Sequence, residues 1–218
     1  MTTVRVWDLP TRLFHWALVA CVAGLFATAY VPGAQILWHA RLGYAVLALL
    51  LFRLVWGVVG GRWSRFSAFV YAPRSVFNYL RGKAHPDHLV GHNPLGAASV
   101  FAMLAVLLAQ VGTGLVSDDE IAFTGPLNRF VAAGKGLAAT WYHKQVGQWL
   151  IVALVALHVL AIGYYLLRKK DNLVRPMVRG DKAVSRPVPS SRDDAASRIA
   201  ALLVFGVCAG AVYWVAGL

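Results

Sequence analysis

The sequence predicts an all-α integral membrane protein, a bundle of five transmembrane helices, and three observations predict it. The 218-residue chain is 59% hydrophobic and 14% charged, with a mean hydropathy of +0.60, which is too apolar for a soluble domain. The apolar excess is gathered into five stretches, residues 13–31, 38–59, 95–116, 140–167 and 199–218. Each is close to the roughly 20 residues that cross a bilayer as a helix, the form in which a single segment satisfies its own backbone. The basic residues gather at alternate ends of these stretches.

The first span follows Arg5 and Arg12. It ends in Ala27-Thr28-Ala29, a passable signal-peptide cleavage site, but is read as a retained span rather than a secretory signal. The second span is followed by residues 60–91, where Trp63, Phe66, Phe69, Tyr71, Phe77 and Tyr79 alternate with arginines. That mixture suits a short helix in the lipid headgroup layer. Pro94 opens the third span, where proline suits a first helical turn. Asp118, Asp119 and Glu120 follow it, as a loop marker or as a docking patch for a basic partner. The fourth span leads into the longest polar connection, 168–198, within which 185–194 reads as a flexible tether before the fifth span. Gly57 with Gly61, and Gly206 with Gly210, allow close helix contact, either within one bundle or in a homodimer.

These features exclude several function classes. No connection is long enough for a soluble catalytic domain, so any chemistry lies in the membrane or at its faces. The formal charge of +12 does not imply nucleic acid, because no separate basic module exists. Membrane topology accounts for it: Arg5 and Arg12, five cations in the second connection and nine in the fourth oppose only Arg41, Arg129, Lys135 and Lys144. The positive-inside rule then places the amino terminus in the cytoplasm and the carboxyl terminus outside. Cys21 and Cys208 lie inside spans and no C-x-x-C-H occurs, which argues against structural disulfides, a zinc ribbon and covalent c-type heme.

Ionisable residues inside spans are costly and therefore informative. No Asp or Glu lies in any span, which weakens a proton or cation transporter reading. Arg41, Arg53 and Lys144 are near span ends, from which they can snorkel to a face. Four histidines remain. His15 is near the inner end of the first span, His39 near the outer end of the second and His143 near the outer end of the fourth. His158 follows His143 by 15 residues, roughly 22 Å along a helix and about 60° around it. The four thus form an inner pair, His15 and His158, and an outer pair, His39 and His143. Neutral imidazoles facing each other in an apolar bundle suit the axial positions of heme iron, and filling both positions favours electron transfer over oxygen binding. A second cluster, His85, Asp87, His88 and His92, could in principle hold a metal but is better read as solvated, with His92 part of the helix entry.

The chain resembles the prokaryotic diheme b-type cytochromes, the bacterial cytochrome five-sixty-one group, which includes the b-type cytochrome subunits of nickel-iron hydrogenases and a membrane superoxide oxidase. The residues that carry the resemblance are Trp7-Asp8-Leu9-Pro10-Thr11-Arg12-Leu13-Phe14-His15-Trp16, then His39, Gly43 and Arg53, then Gly91-His92-Asn93-Pro94-Leu95-Gly96. His143, Val155-Ala156-Leu157-His158 and Asn172-Leu173-Val174-Arg175 complete it. The resemblance implies a four-helix membrane domain over residues 1–182 that binds two non-covalent hemes b through His15, His39, His143 and His158. Residues 183–198 would be a cytoplasmic tether and 199–218 an additional transmembrane helix outside the matched part. Some members space the two histidines of the fourth helix one residue closer.

The function so implied is electron transfer across the bacterial inner membrane, in a respiratory chain, between quinone and a periplasmic cytochrome c, another redox protein or a small donor. Two alternatives stand beside it: a self-sufficient oxidoreductase passing electrons from superoxide or another small donor to quinone, and a cofactor-free anchor subunit of a complex.

Overall fold

A computed structural model of the chain describes residues 2–31, 36–83, 88, 90–121 and 123–218. In chain order they form β1 (Thr2–Arg5), α1 (Leu9–Tyr30), α2 (Ile36–Val59), α3 (Pro73–Leu80), α4 (Pro94–Val116), α5 (Ala133–Tyr142), α6 (Gln148–Leu167), α7 (Val174–Arg179), β2 (Asp181–Val184) and α8 (Ala195–Ala216). A π-turn, His143–Gly147, joins α5 to α6. Five helices among the described residues are long and apolar enough to span a membrane: α1, α2, α4, the continuous helix Ala133–Leu167, and α8. The all-α membrane architecture read from the sequence is the one found.

Short polar side chains start three of the spans. Asp8 accepts from Thr11 N at 2.9 Å ahead of α1, Asn93 from Gly96 N at 2.8 Å ahead of α4, and Asp194 from Ser197 N at 2.7 Å ahead of α8. Each satisfies an amide that a helix start leaves without a partner. At the end of α7, Gly180 takes φ +92 and its N–H bonds Pro176 O at 2.7 Å, the left-handed stop that glycine adopts most readily.

The chain divides into two compact units. The first comprises Met1–Phe14, Arg53–Ala102 and Ala156–Val204. In it β1 pairs antiparallel with β2, Thr2 opposite Val184 and Arg5 opposite Asp181, over a small core of Val4, Val6, Trp7, Trp63, Val90 and Val184. Arg5 ties this sheet to Asp181 at 2.6 Å and to Asp193 at 2.5 Å. The segment 185–194, expected as a flexible tether, is instead fastened. Trp63 Nε1 donates to Pro189 O at 2.9 Å, Ser191 N to Arg5 O at 2.8 Å, and Ser191 Oγ to Val6 O at 2.8 Å. Its backbone satisfies groups that β1 and Trp63 would otherwise bury without partners. The helix expected at the headgroup layer is α3, with the Arg81 guanidinium 4.0 Å over Phe77. The notches at Gly57 and Gly61 are filled within the chain: a Cβ at Gly57 would strike the Phe66 ring, and one at Gly61 the Asp8 carboxylate.

The second unit comprises His15–Phe52, Met103–Val155 and Phe205–Leu218. Here the fourth span differs from its expected bounds. It begins at Ala133 rather than 140, and the whole 35-residue helix is about 52 Å long against a hydrocarbon core of about 30 Å. Thr140 explains the extension: its Oγ1 accepts from Asp118 N at 3.0 Å and donates to Asp118 O at 2.7 Å, tying α5 to the acidic loop. That loop is built rather than loose, with Asp119 Oδ1 accepting from Ile121 N at 3.1 Å and Phe123 N at 2.8 Å.

Candidate cofactor site

In the second unit α2 presents His39 and the start of the π-turn presents His143, and the two half-buried rings lie 6.2 Å apart between centroids, inclined at 72°. Each ring is held through its Nδ1. His143 Nδ1 is 2.9 Å from Gln110 O, an atom that only accepts, so Nδ1 carries the proton. His39 Nδ1 is 3.2 Å from Thr28 Oγ1. That hydroxyl lies within donating distance of its own helix carbonyls, Gly24 O at 2.9 Å and Leu25 O at 3.1 Å. Its lone pair, with the hydrogen given to one of those carbonyls, is free to accept from His39 Nδ1–H. With both Nδ1 atoms protonated, both Nε2 lone pairs are left for a ligand bond, the arrangement by which outer partners orient metal-binding histidines.

Gln110 grips His143 twice. Its backbone carbonyl takes the ring proton, and its Nε2 donates to His143 O at 3.1 Å. The π-turn makes the second bond useful, since an inserted residue disrupts the regular i to i−4 pairing of carbonyls. Gly147 makes room for it: a Cβ there would collide with Gln110 Oε1. Gly114 packs closely on the other side, where a Cβ would lie 3.2 Å from His143 Cε1.

The π-turn also corrects the rotation expected for an uninterrupted α-helix. One of the 15 residues between His143 and His158 is absorbed in the turn, so their offset is that of 14 residues, about 40° in the opposite sense from the 60° expected.

A model of the family described as prokaryotic cytochrome b561 matches residues 6–180 of this chain. The chain belongs to that family. It is similar to the probable Ni/Fe-hydrogenase 1 B-type cytochrome subunit of Escherichia coli (strain K12), 27% identical over 209 residues, covering 80% of this chain and 88% of that one. It is also similar to the probable Ni/Fe-hydrogenase B-type cytochrome subunits of Azotobacter chroococcum mcd 1, 25% identical over 82% of this chain and 88% of the relative, and of Rhodobacter capsulatus, 24% identical over 83% and 82%. No solved structure matches the chain.

Membership of the b561 family makes this a multi-pass bacterial membrane protein of a b-type cytochrome class, for which heme b is the expected group. The residues present fit it. A metal–imidazole bond of about 2 Å, plus about 1 Å from nitrogen to ring centre, sets two axial imidazoles roughly 6 Å apart between centroids, and His39 and His143 are at 6.2 Å. A Cβ at Gly43, one turn after His39, would meet nothing within 4 Å, which leaves open space beside the pair.

The other two sequence-chosen histidines lie in different surroundings. His15, in α1, sits edge-on to Trp16 with centroids 5.0 Å apart. His158, half-buried in α6, belongs to the first unit together with His92. Of the second cluster, His85 and Asp87 lie outside the described residues, and His88 is buried against the rings of Tyr71 and Tyr79, at 4.8 and 5.7 Å. Among the described residues no group of three or more His, Cys, Asp or Glu is placed to hold a bare metal ion. Nearby, the Tyr79 hydroxyl bonds that of Tyr165 at 2.6 Å, and burial, then this bond, push the Tyr79 pKa above its usual range.

Sequence reasoning missed Gln110 and Thr28. The available signal was a lone amide within an otherwise apolar span, and a threonine one turn from a span end. Removing an outer partner of a metal-binding histidine typically costs about 10–100-fold in affinity. Thr28→Val, which removes the hydroxyl 3.2 Å from His39 Nδ1, is therefore expected to keep the fold but to lose heme to excess apomyoglobin about 10–100-fold more readily, as followed by absorbance.

Proposed function

We propose that the chain carries electrons across the bacterial inner membrane through two bis-histidine hemes b, one held by His39 and His143 and the other by His15 and His158. The observation that carries this reading is the His39–His143 pair, with ring separation and protonation both suited to one iron. The inner pair rests on depth: consecutive spans reverse direction, so His15 and His158 reach the same leaflet. The amino terminus is assigned to the cytoplasm and the carboxyl terminus to the periplasm by the distribution of Lys and Arg.

When bound, the heme supplies a reversible one-electron couple at its iron. The protein's part is positional. Thr28 and Gln110 fix the tautomer and direction of the outer rings, and the apolar faces of the spans exclude water. His39 and His143 would together hold the group, and two histidine ligands would suit it to electron transfer rather than to binding a small ligand. Quinone at the inner face and a redox partner at the outer face are the proposed termini. The similarity to proteins named as hydrogenase cytochrome subunits supports a role as the membrane subunit of a complex.

Acid–acetone extraction followed by the pyridine hemochrome assay is expected to yield two hemes b per chain, reducible by quinol. Heme that stays attached, or a content near zero, removes the proposal, and the latter would favour a cofactor-free anchor. Partner-independent turnover of superoxide or another small donor with quinone would assign the chain to the oxidoreductase alternative. If Asp118, Asp119 and Glu120 receive a basic redox partner, charge reversal to lysine is expected to slow electron exchange at low salt and not at high salt, measured by stopped flow.

A further inference from the structure

Arg53 is a buried cation that makes no ion pair among the described residues. It lies in α2, six residues before the last, with 3% of its surface exposed, and its Nη1 has no hydrogen-bond partner. Its guanidinium rests 4.6 Å over the Phe66 ring, which occupies the notch left by Gly57. Asp8 is the carboxylate whose field reaches it. The oxygens of Asp8, however, already accept from Thr11 N, Trp56 Nε1, Gly61 N and Ser64 Oγ. A charge inside a span is costly unless an anion and its hydrogen bonds meet it.

A second orphan lies in the same unit. His92 has its ring between Trp7, at 4.7 Å, and Phe69, at 4.4 Å, and its buried Nδ1 has no partner among the described residues. Burial, then the nearby Arg53 and His158, hold its pKa down to about 3. Phe66, under Arg53, meets Phe69, against His92, at 5.9 Å, and Asn93, next to His92, donates to the Tyr165 hydroxyl at 2.7 Å, about two turns along α6 from His158; Arg53 Nη1 and His92 Nδ1 thus lie in one neighbourhood with N–H capacity to give. The complement of two buried donors with one positive charge is a carboxylate.

We propose that Arg53 and His92 bind a propionate carboxylate of the heme held by His158, through Arg53 Nη1–H and His92 Nδ1–H. This rests on the heme ligation proposed above. A propionate arrives with the cofactor, so it needs no path to a guanidinium sealed from solvent. A quinone carbonyl would satisfy a donor but leave the charge uncompensated.

The test uses the purified full-length holoprotein. Resonance Raman spectra report the propionate bending bands, redox titration reports the midpoint potentials, and His158→Ala identifies which component belongs to His158. In Arg53→Gln the propionate band of that component is expected to shift. Its midpoint potential is expected to fall, because losing a nearby cation favours the more positive oxidised heme; a tenfold change in that preference is about 59 mV for one electron. The other heme keeps both values. His92→Gln is expected to shift the same band with a smaller fall. If Arg53→Gln does not retain heme, Arg53→Lys, which keeps the charge but changes the donor geometry, is expected to retain it with a shifted band. Unchanged bands and potentials in the Arg53 and His92 variants overturn the proposal, and so do unchanged bands accompanied by lost quinol reactivity, which would make this a quinone headgroup site. A wild-type preparation without heme instead fails the ligation reading before any variant is made.

Discussion

His39→Ala is expected to remove one heme per chain and to leave the other with its spectrum and midpoint potential intact, whereas His15→Ala removes the other one. If the two rings serve one iron, as proposed, His143→Ala should match His39→Ala, and the double variant should lose nothing beyond either single change. Their centroid separation of 6.2 Å and the anchoring of both Nδ1 atoms support that pairing directly. The distinction from His15 rests on depth. His15 is the seventh residue of α1 and His39 the fourth of α2. Consecutive spans begin at opposite faces of a hydrocarbon core about 30 Å thick, so about 9 and 5 Å of rise leave the two histidines roughly half the core apart. One iron cannot bridge that distance. Heme stoichiometry and potentiometric titration of folded variants decide the matter, and loss of the same component in both His15→Ala and His39→Ala would overturn the assignment.

Asp8→Ala is expected to cost a large part of the protein's stability. The carboxylate is wholly inaccessible, and it accepts from Thr11 N at 2.9 Å, Gly61 N at 2.9 Å, Ser64 Oγ at 3.0 Å and Trp56 Nε1 at 3.3 Å. It also supplies the negative field felt by Arg53. Alanine leaves four donors buried without an acceptor and one buried cation further uncompensated. Breaking a buried charged network by deleting one partner costs roughly 3–5 kcal/mol, against a total stability of about 5–15 kcal/mol for ordinary domains. Asp8→Asn, which keeps an acceptor oxygen but not the charge, should fall between wild type and alanine. Thermal unfolding in detergent followed by circular dichroism provides the comparison. Stability of the alanine variant within about 0.5 kcal/mol of wild type, the range of an ordinary surface substitution, would show that the network does not hold this end of the fold together.

Sequence reasoning came close to this residue without reaching it. Asp8 stood out only as part of the motif around His15, since nothing local reveals that Gly61, 53 positions away, must lack a side chain for the carboxylate to fit. Gln110 presents the same difficulty. An amide in an apolar span is conspicuous, but its role depends on a carbonyl and a ring 33 residues away and on a π-turn that no periodicity announces. The segment 185–194 looked like a tether because prolines, serines and charges are the usual composition of one. Trp63, 126 residues before Pro189, makes it part of a packed cap.

The sequence by itself determined the spans, their number and approximate limits, and the family to which the chain belongs. Water is absent from the bilayer core, so each crossing segment must satisfy its backbone internally and cover itself with apolar side chains, and both requirements are local. It also isolated four histidines, because ionisable side chains inside such segments are few and costly. Only the tertiary structure decided that the His39 and His143 rings come within 6.2 Å of each other with their Nδ1 atoms engaged, that one residue of the fourth span is taken up in a π-turn, and that Arg53 Nη1 and His92 Nδ1 are buried without a partner among the described residues. Those features depend on distances between side chains far apart in the chain, and hydrogen bonding and close packing set such distances only once the helices have met.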